Sequence, residues 1–169
     1  MAGPFTNIID PLIANTFYAD SQLCAKNVEI VLPGLTRKTV SIDAYGVELP
    51  MQGQFEASNM QVHVMGVNSE LAHACAAGKH TYEVRFVQQK IDFSGNSKPV
   101  GGYCYVEGVS KGLPEMTISP GNSTDNTVEI IPYTFRIVVD GETVAEFDRF
   151  NGVATLWGVD EASDVEQYL

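Results

Sequence analysis

The sequence is poor in positive charge: 10 Lys and Arg stand against 21 Asp and Glu, a formal net charge of −11. A grip on nucleic acid works by neutralising phosphates with clustered cations, so this balance argues against ordinary DNA or RNA binding. Cysteine is scarce too, with Cys24, Cys75 and Cys104 at no redox or zinc spacing. An odd number cannot all pair within one chain, and buried thiols in a reducing compartment are the expectation. Trp157 is the only tryptophan, which is little for the aromatic groove of a sugar- or peptide-binding module. No stretch reaches the roughly 18 apolar residues of a membrane span. Residues 1–12 lack the basic start and apolar run of a secretion signal, so assembly in the cytosol is expected.

Chemistry-bearing constellations are missing as well. His63, His73 and His80 match no zinc spacing, and His73 and Cys75 point to different sides of a helix, so ordinary surface or partly buried histidines are expected and no metal. There is no strained-turn serine motif and no Cys-His signature for nucleophilic catalysis. Gly53, Gly101 and Gly102 form no phosphate loop, because neither the lysine nor the strand-to-helix setting accompanies them. Glu146 and Asp148 lie two apart on a strand and share a face, which suggests a glycosidase dyad or a calcium site. An exposed or interface-facing acidic strip is the better account. No catalytic residue and no cofactor are expected, and the chain reads as something other than an enzyme.

What is present is the composition of a folded domain, 169 residues with 44% hydrophobic and 18% charged. Residues 1–15 read as an arm ordered by contact with something else, and residues 16–169 as a single domain. Short apolar runs cut by turn residues predict two strands here, one around Phe17-Tyr18 ending in the Asp20-Ser21 turn and one over residues 28–32. Residues 36–50, which begin with the basic cluster Thr36 to Thr39, show no periodicity and read as a long loop. Met60, Val62 and Val64 alternate with Gln61 and His63, as in a strand with one buried face. One helix is expected over residues 69–77, with Asn68 or Ser69 as N-cap and Gly78 as stop.

Tyr82, Val84 and Phe86 share a face that Ile91 and Phe93 do not, which predicts a bulge near Gln88-Gln89. Residues 94–102 and 120–126 read as loops; residues 103–109 and 116–118 read as strands. Alternating Tyr133, Phe135, Ile137 and Val139, then Asp140-Gly141, then a returning run predict a hairpin. The expected class is mainly β: two packed antiparallel sheets, sandwich- or barrel-like, with one short α-helix.

Two stretches resemble a known family, the major tail tube proteins of contractile-tailed phages and R-type phage-tail bacteriocins. Leu32, Pro33, Leu35, Lys38 and Thr39 are similar to its Leu-Pro-x-Leu-x-x-Lys-Thr segment. Asp140, Gly141, Glu146, Asp148, Asn151-Gly152 and Gly158, Val159, Asp160 fall at its spacing without a gap. The family's Gly-Gly-Met loop is replaced by residues 41–49. The resemblance implies a non-enzymatic subunit that assembles with itself into hexameric rings, stacked as the inner tail tube of a virion. Its partners would be the sheath protein, the baseplate and tail-terminator proteins, and in the lumen the tape-measure protein and then DNA, non-specifically. The basic residues 36–39 facing the acidic C-terminal half of another subunit would favour head-to-tail stacking. An acidic bore, lined by residues 51–65 and 82–93, would let DNA slide. The inner tube of a type VI secretion machine, a non-contractile tail tube and a small β-sandwich ligand-binding module are the alternatives.

Overall fold

Asp140 and Gly141 turn the chain with φ of 53° and 78°, the pair of positive values that a two-residue hairpin of matching twist requires. Asp20 and Ser21 do the same at 48° and 67°. Around such turns the computed structural model, which describes residues 7–9, 11–44, 46–66, 69–92, 94–122, 125–161, 163 and 167–169, builds an almost wholly antiparallel β protein. The elements are β1 (Asn7–Ile9), β2 (Leu12–Ala19), β3 (Gln22–Lys26), β4 (Glu29–Val31), β5 (Leu35–Ile42), β6 (Val47–Ala57), β7 (Met60–Met65), α1 (Ser69–Ala74), β8 (Lys79–Asp92), β9 (Ser97–Ser110), β10 (Asp125–Val139), β11 (Glu142–Asp148), β12 (Val153–Leu156) and β13 (Val159–Asp160).

Eleven strands form one sheet in the order β13-β12-β11-β10-β9-β8-β2-β3, with β1 added to β8 and the pair β4-β7 added to β10; β5 and β6 form a second, two-stranded sheet. The two-sheet, one-helix class is therefore as expected, in its open and not its barrel form: the path ends in β13 and β3, which do not pair with each other.

Pro132 decides the shape. It cannot donate to a ladder, so within sheets it belongs at bulges, and the β9-β10 register slips between Pro132 and Thr134, leaving Tyr133 as the extra residue. A bulge bends and twists its strand. The first part of β10 pairs with β7 (Val128 opposite Val62), and the last part pairs with β11 (Phe135 opposite Phe147). The core gathers residues from both parts: Phe17, Tyr82, Val84, Cys104 and Val106 with Met60, Val62, Val128 and Ile130, all at most 2% exposed. Phe17 stacks on Tyr82 with centroids 5.9 Å apart, and the Tyr82 hydroxyl donates to the Ala74 carbonyl at 2.7 Å, tying α1 to β8. No helix among the described residues is long and apolar enough to cross a membrane.

Asn15 is a buried polar residue that its neighbours in sequence do not announce. Its amide donates to the Val28 carbonyl at 2.7 Å and accepts from the Val28 N–H at 3.1 Å, so the side chain stands in for a missing strand. Asn15→Ala leaves both groups of Val28 without that partner. A loss of about 1–3 kcal/mol is expected in denaturant unfolding, and Asn15→Asp, which keeps only the acceptor, should recover part of it.

Several local expectations change. Residues 36–50 are not a long loop; they are most of a hairpin, β5 and β6, and residues 51–65 divide between β6 and β7. Residues 116–118 lie in a segment without regular structure, residues 111–119, and Ile118 is exposed. The helix ends at Ala74, three residues early; Asn68 lies outside the described residues. β8 and β9 pair without a slip from Lys79-Val109 to Ile91-Ser97, so β9 begins inside the expected 94–102 loop. The irregularity expected in β8 sits across the ladder, where β2 carries the extra residue Ile13 opposite Val87 and Gln88. Phe93 lies outside the described residues. Within the expected arm, Asn7–Ile9 and the start of β2 pair with β8; residues 1–6 and 10 lie outside the described residues.

Candidate assembly surfaces and a polar cluster

The β5-β6 hairpin is a ribbon in two halves. At its base Leu35, Phe55 and Ala57 pack against the core. Beyond a register slip between Arg37 and Thr39, residues 39–41 and 46–52 are exposed on both faces of the ribbon. Val40 pairs with Leu49 there, and Val40, Val47, Leu49 and Met51 are all exposed. An isolated two-stranded hairpin is at best marginally stable in water, and large apolar residues bare on such a ribbon mark a contact surface.

The two motif stretches meet at the base of this ribbon. Pro33 is buried in the β4-β5 loop, and Leu32 and Leu35 pack on the core. Arg37 forms a bidentate pair with Glu161, just past β13, with its Nε 3.0 Å from Oε2; the Gly53 N–H also points at that oxygen. Lys38 lies 3.9 Å from Glu56 across the ribbon, and Thr39 is exposed. The charge of Arg37 is thus met inside its own chain, where the sequence pattern had pointed to a neighbouring subunit. Lys38, Phe55, Phe147 and Asp148 line a cleft of about 540 Å³ between ribbon and sheet.

Asp148 accepts from the N–H groups of Phe150 and Asn151 and from the Asn151 side chain at 2.6 Å, so these two motif residues shape the β11-β12 turn. The Asn151 amide, with those N–H groups, holds the Asp148 carboxyl below its usual range. Gly158, with φ of 76°, turns β12 into β13, which carries Val159 and Asp160. Glu146 is exposed on β11. The Asp140-Gly141 turn stands apart, with Asp140 3.7 Å from Lys90.

The Arg37 guanidinium, helped by the Gly53 N–H, keeps the Glu161 carboxyl below its ordinary value of 4.5. A lowered folded-state pKa gives a contribution that is complete above the unfolded value and lost as pH falls through the folded one. The melting temperature of Glu161→Gln should therefore lie below that of the wild type at pH 7 and converge with it in acid.

The large sheet leaves one face open. Thr16, Glu83, Arg85, Tyr103, Tyr105 and Arg136 lie on it in adjoining strands, opposite in sense to the core residues. Two of its cations are neutralised locally, Lys79 lying 3.0 Å from Glu107 and Arg85 2.6 Å from Glu83, while the Arg136 guanidinium donates to the Thr143 hydroxyl at 3.3 Å.

Elsewhere the fold joins what the sequence keeps apart. The β2-β3 turn brings Asp20 to His73 on α1 and His80 on β8, at 3.3 and 2.6 Å from the same carboxylate oxygen. These three side chains could hold a metal ion. The His80 imidazole lowers the Asp20 pKa, and Asp20 in turn raises that of His80. No local spacing signals the trio, because 53 residues separate Asp20 from His73. No disulfide joins the three cysteines; burial raises all three thiols, that of Cys104 to about 12, which holds them protonated at neutral pH.

An apolar ribbon exposed on both faces among the described residues, and sheet ends that do not pair with each other, offer surfaces for assembly. The family model described as phage tail tube protein FII matches residues 10–169, and the chain belongs to that family. No curated protein matches the sequence. Membership gives the chain a structural, non-enzymatic role in a tail tube, self-assembled with other tail proteins, and a place in the virion tail.

Proposed function

We infer that the protein forms hexameric rings that stack into the inner tube of a contractile tail, a conduit for DNA. The observation that carries this reading is the β5-β6 ribbon, whose exposed Val40, Val47, Leu49 and Met51 have no cover within the chain's described residues. A neighbouring subunit would bury them, and neighbours would also satisfy the free edges of β3 and β13, which in a solitary protein invite uncontrolled pairing. The two sequence stretches shared with the contractile-tail branch favour that branch over non-contractile and secretion tubes.

The open face of the large sheet suits a bore. β8, one of the strands expected to line it, contributes Glu83 and Arg85 to this face, whereas Met60, Val62 and Val64 of the other candidate region belong to the core. With Lys79 and Arg85 already paired to acids, the face offers few cations for phosphates, so DNA would pass without counterion-releasing contacts. Assembly in the host cytoplasm and contact with sheath, baseplate, terminator and tape-measure proteins belong to the same reading.

Negative-stain electron microscopy with light scattering across a concentration series tests it. Rings or tubes with a central hole are expected, and six-fold averages and binding of sheath protein distinguish the contractile branch. A monomer that persists at high concentration and ignores added tail extract would refute the reading.

A further inference from the structure

We propose that Asp20, His73 and His80 form a surface site for a transition-metal ion of the zinc type, stapling α1 to the β2-β3 turn and the start of β8. One donor atom from each residue lies within 4.8 Å of the others. Tetrahedral zinc with bonds of about 2.0–2.2 Å sets its ligand atoms about 3.3 Å apart, and His73 Nε2 stands 3.3 Å from Asp20 Oδ2. His80 Nδ1, at 2.6 Å from the same oxygen, makes a hydrogen bond that an ion would replace by widening the gap by about 0.7 Å.

The surroundings are arranged as second partners of metal ligands are. His80 turns its other nitrogen, Nε2, to the Ala76 carbonyl at 3.0 Å, which orients the ring and directs Nδ1 toward Asp20. The Thr81 N–H donates to Asp20 Oδ1 at 3.0 Å, leaving Oδ2 for the ion. His73 and Asp20 are 46% and 39% exposed while His80 is 13% exposed, so the fourth position would open to water. Carboxylate with two imidazoles is a borderline donor set, suited to zinc, cobalt(II) or nickel and poor for calcium or magnesium. A six-residue helix is too short to be stable alone, which gives the staple a purpose.

The test uses the full-length chain without a histidine tag, stripped with EDTA and titrated with Zn²⁺ by calorimetry, with Co²⁺ absorption as a second reading. One ion per chain, a melting temperature raised by several degrees and visible tetrahedral Co²⁺ bands are expected. His73→Ala, which removes an exposed side chain, should weaken Zn²⁺ at least tenfold with little change of the melting temperature in EDTA; Asp20→Asn should weaken Zn²⁺ as much but also melt lower in EDTA, because its charged contact with His80 is lost, and His63→Ala on β7 should bind as wild type. Undiminished binding in His73→Ala, or neither thermal shift nor Co²⁺ bands in the wild type, would overturn the site.

Discussion

Replacing Gly108 with alanine should cost the fold about 3 kcal/mol or more, lowering the melting temperature by roughly 6–12 °C for a domain of this size. A Cβ at Gly108 would lie 2.2 Å from the Ile131 carbonyl oxygen and 3.2 Å from Pro132 Cα. Both are backbone atoms, so no rotamer change relieves the clash, and β9 and β10 must part at the bulge that folds the sheet on itself. The ordinary gain from stiffening the unfolded chain, about 0.4–1 kcal/mol, is too small to offset this. Gly101 on the same strand is the control: an added Cβ meets nothing within 4 Å and the backbone is not in the left-handed region. Gly101→Ala should melt within a degree or two of wild type. Equal effects at the two positions would mean that the close approach at Pro132 does not govern the bend.

Leu49→Glu should abolish assembly while leaving the subunit folded. Leu49 is 44% exposed and faces solvent on the ribbon beside Val40, so in the isolated subunit the change should lie within about 0.5 kcal/mol. In a ring a neighbour would cover the same position, and an unpaired carboxylate taken out of water costs several kcal/mol. A closed ring repeats that cost at every interface. Sedimentation velocity should find the variant monomeric at concentrations where the wild type forms large particles, with unchanged circular dichroism. Tubes from Leu49→Glu indistinguishable from wild type would remove the ribbon from the interface.

Both effects arise from places that the sequence describes poorly, for definite reasons. Alternation reveals a strand only where one face is buried, as in Met60, Val62 and Val64 of β7. The ribbon of β5 and β6 has both faces bare, no core imposes a period of two, and residues 36–50 consequently read as loop. Residues 116–118 misled in the opposite direction, since Met116 and Ile118 alternate around Thr117 but pair with no strand among the described residues. The irregularity near Gln88 was legible as a change of apolar phase, but a ladder can take its extra residue on either strand. It is β2, at Ile13, that does.

The motif residues divide in the same way. Leu32, Pro33, Leu35, Asp148, Asn151 and Gly158 have turn or packing roles in the structure, while Lys38, Thr39, Glu146 and Val159 remain exposed. We propose the exposed group as contact residues, to be tested with the ribbon.

By itself the sequence determined the mainly antiparallel class, the two-residue turns at Asp20-Ser21 and Asp140-Gly141, and the tail tube family, because turn chemistry, half-buried alternation and motif spacing are local properties. Only the tertiary structure decided that Pro132 and Gly108 bend one sheet over a core, that Arg37 is satisfied by Glu161 of its own chain, and that Asp20 meets His73 and His80. Each of those depends on segments far apart in the chain, brought together by burial of apolar faces that no local pattern encodes.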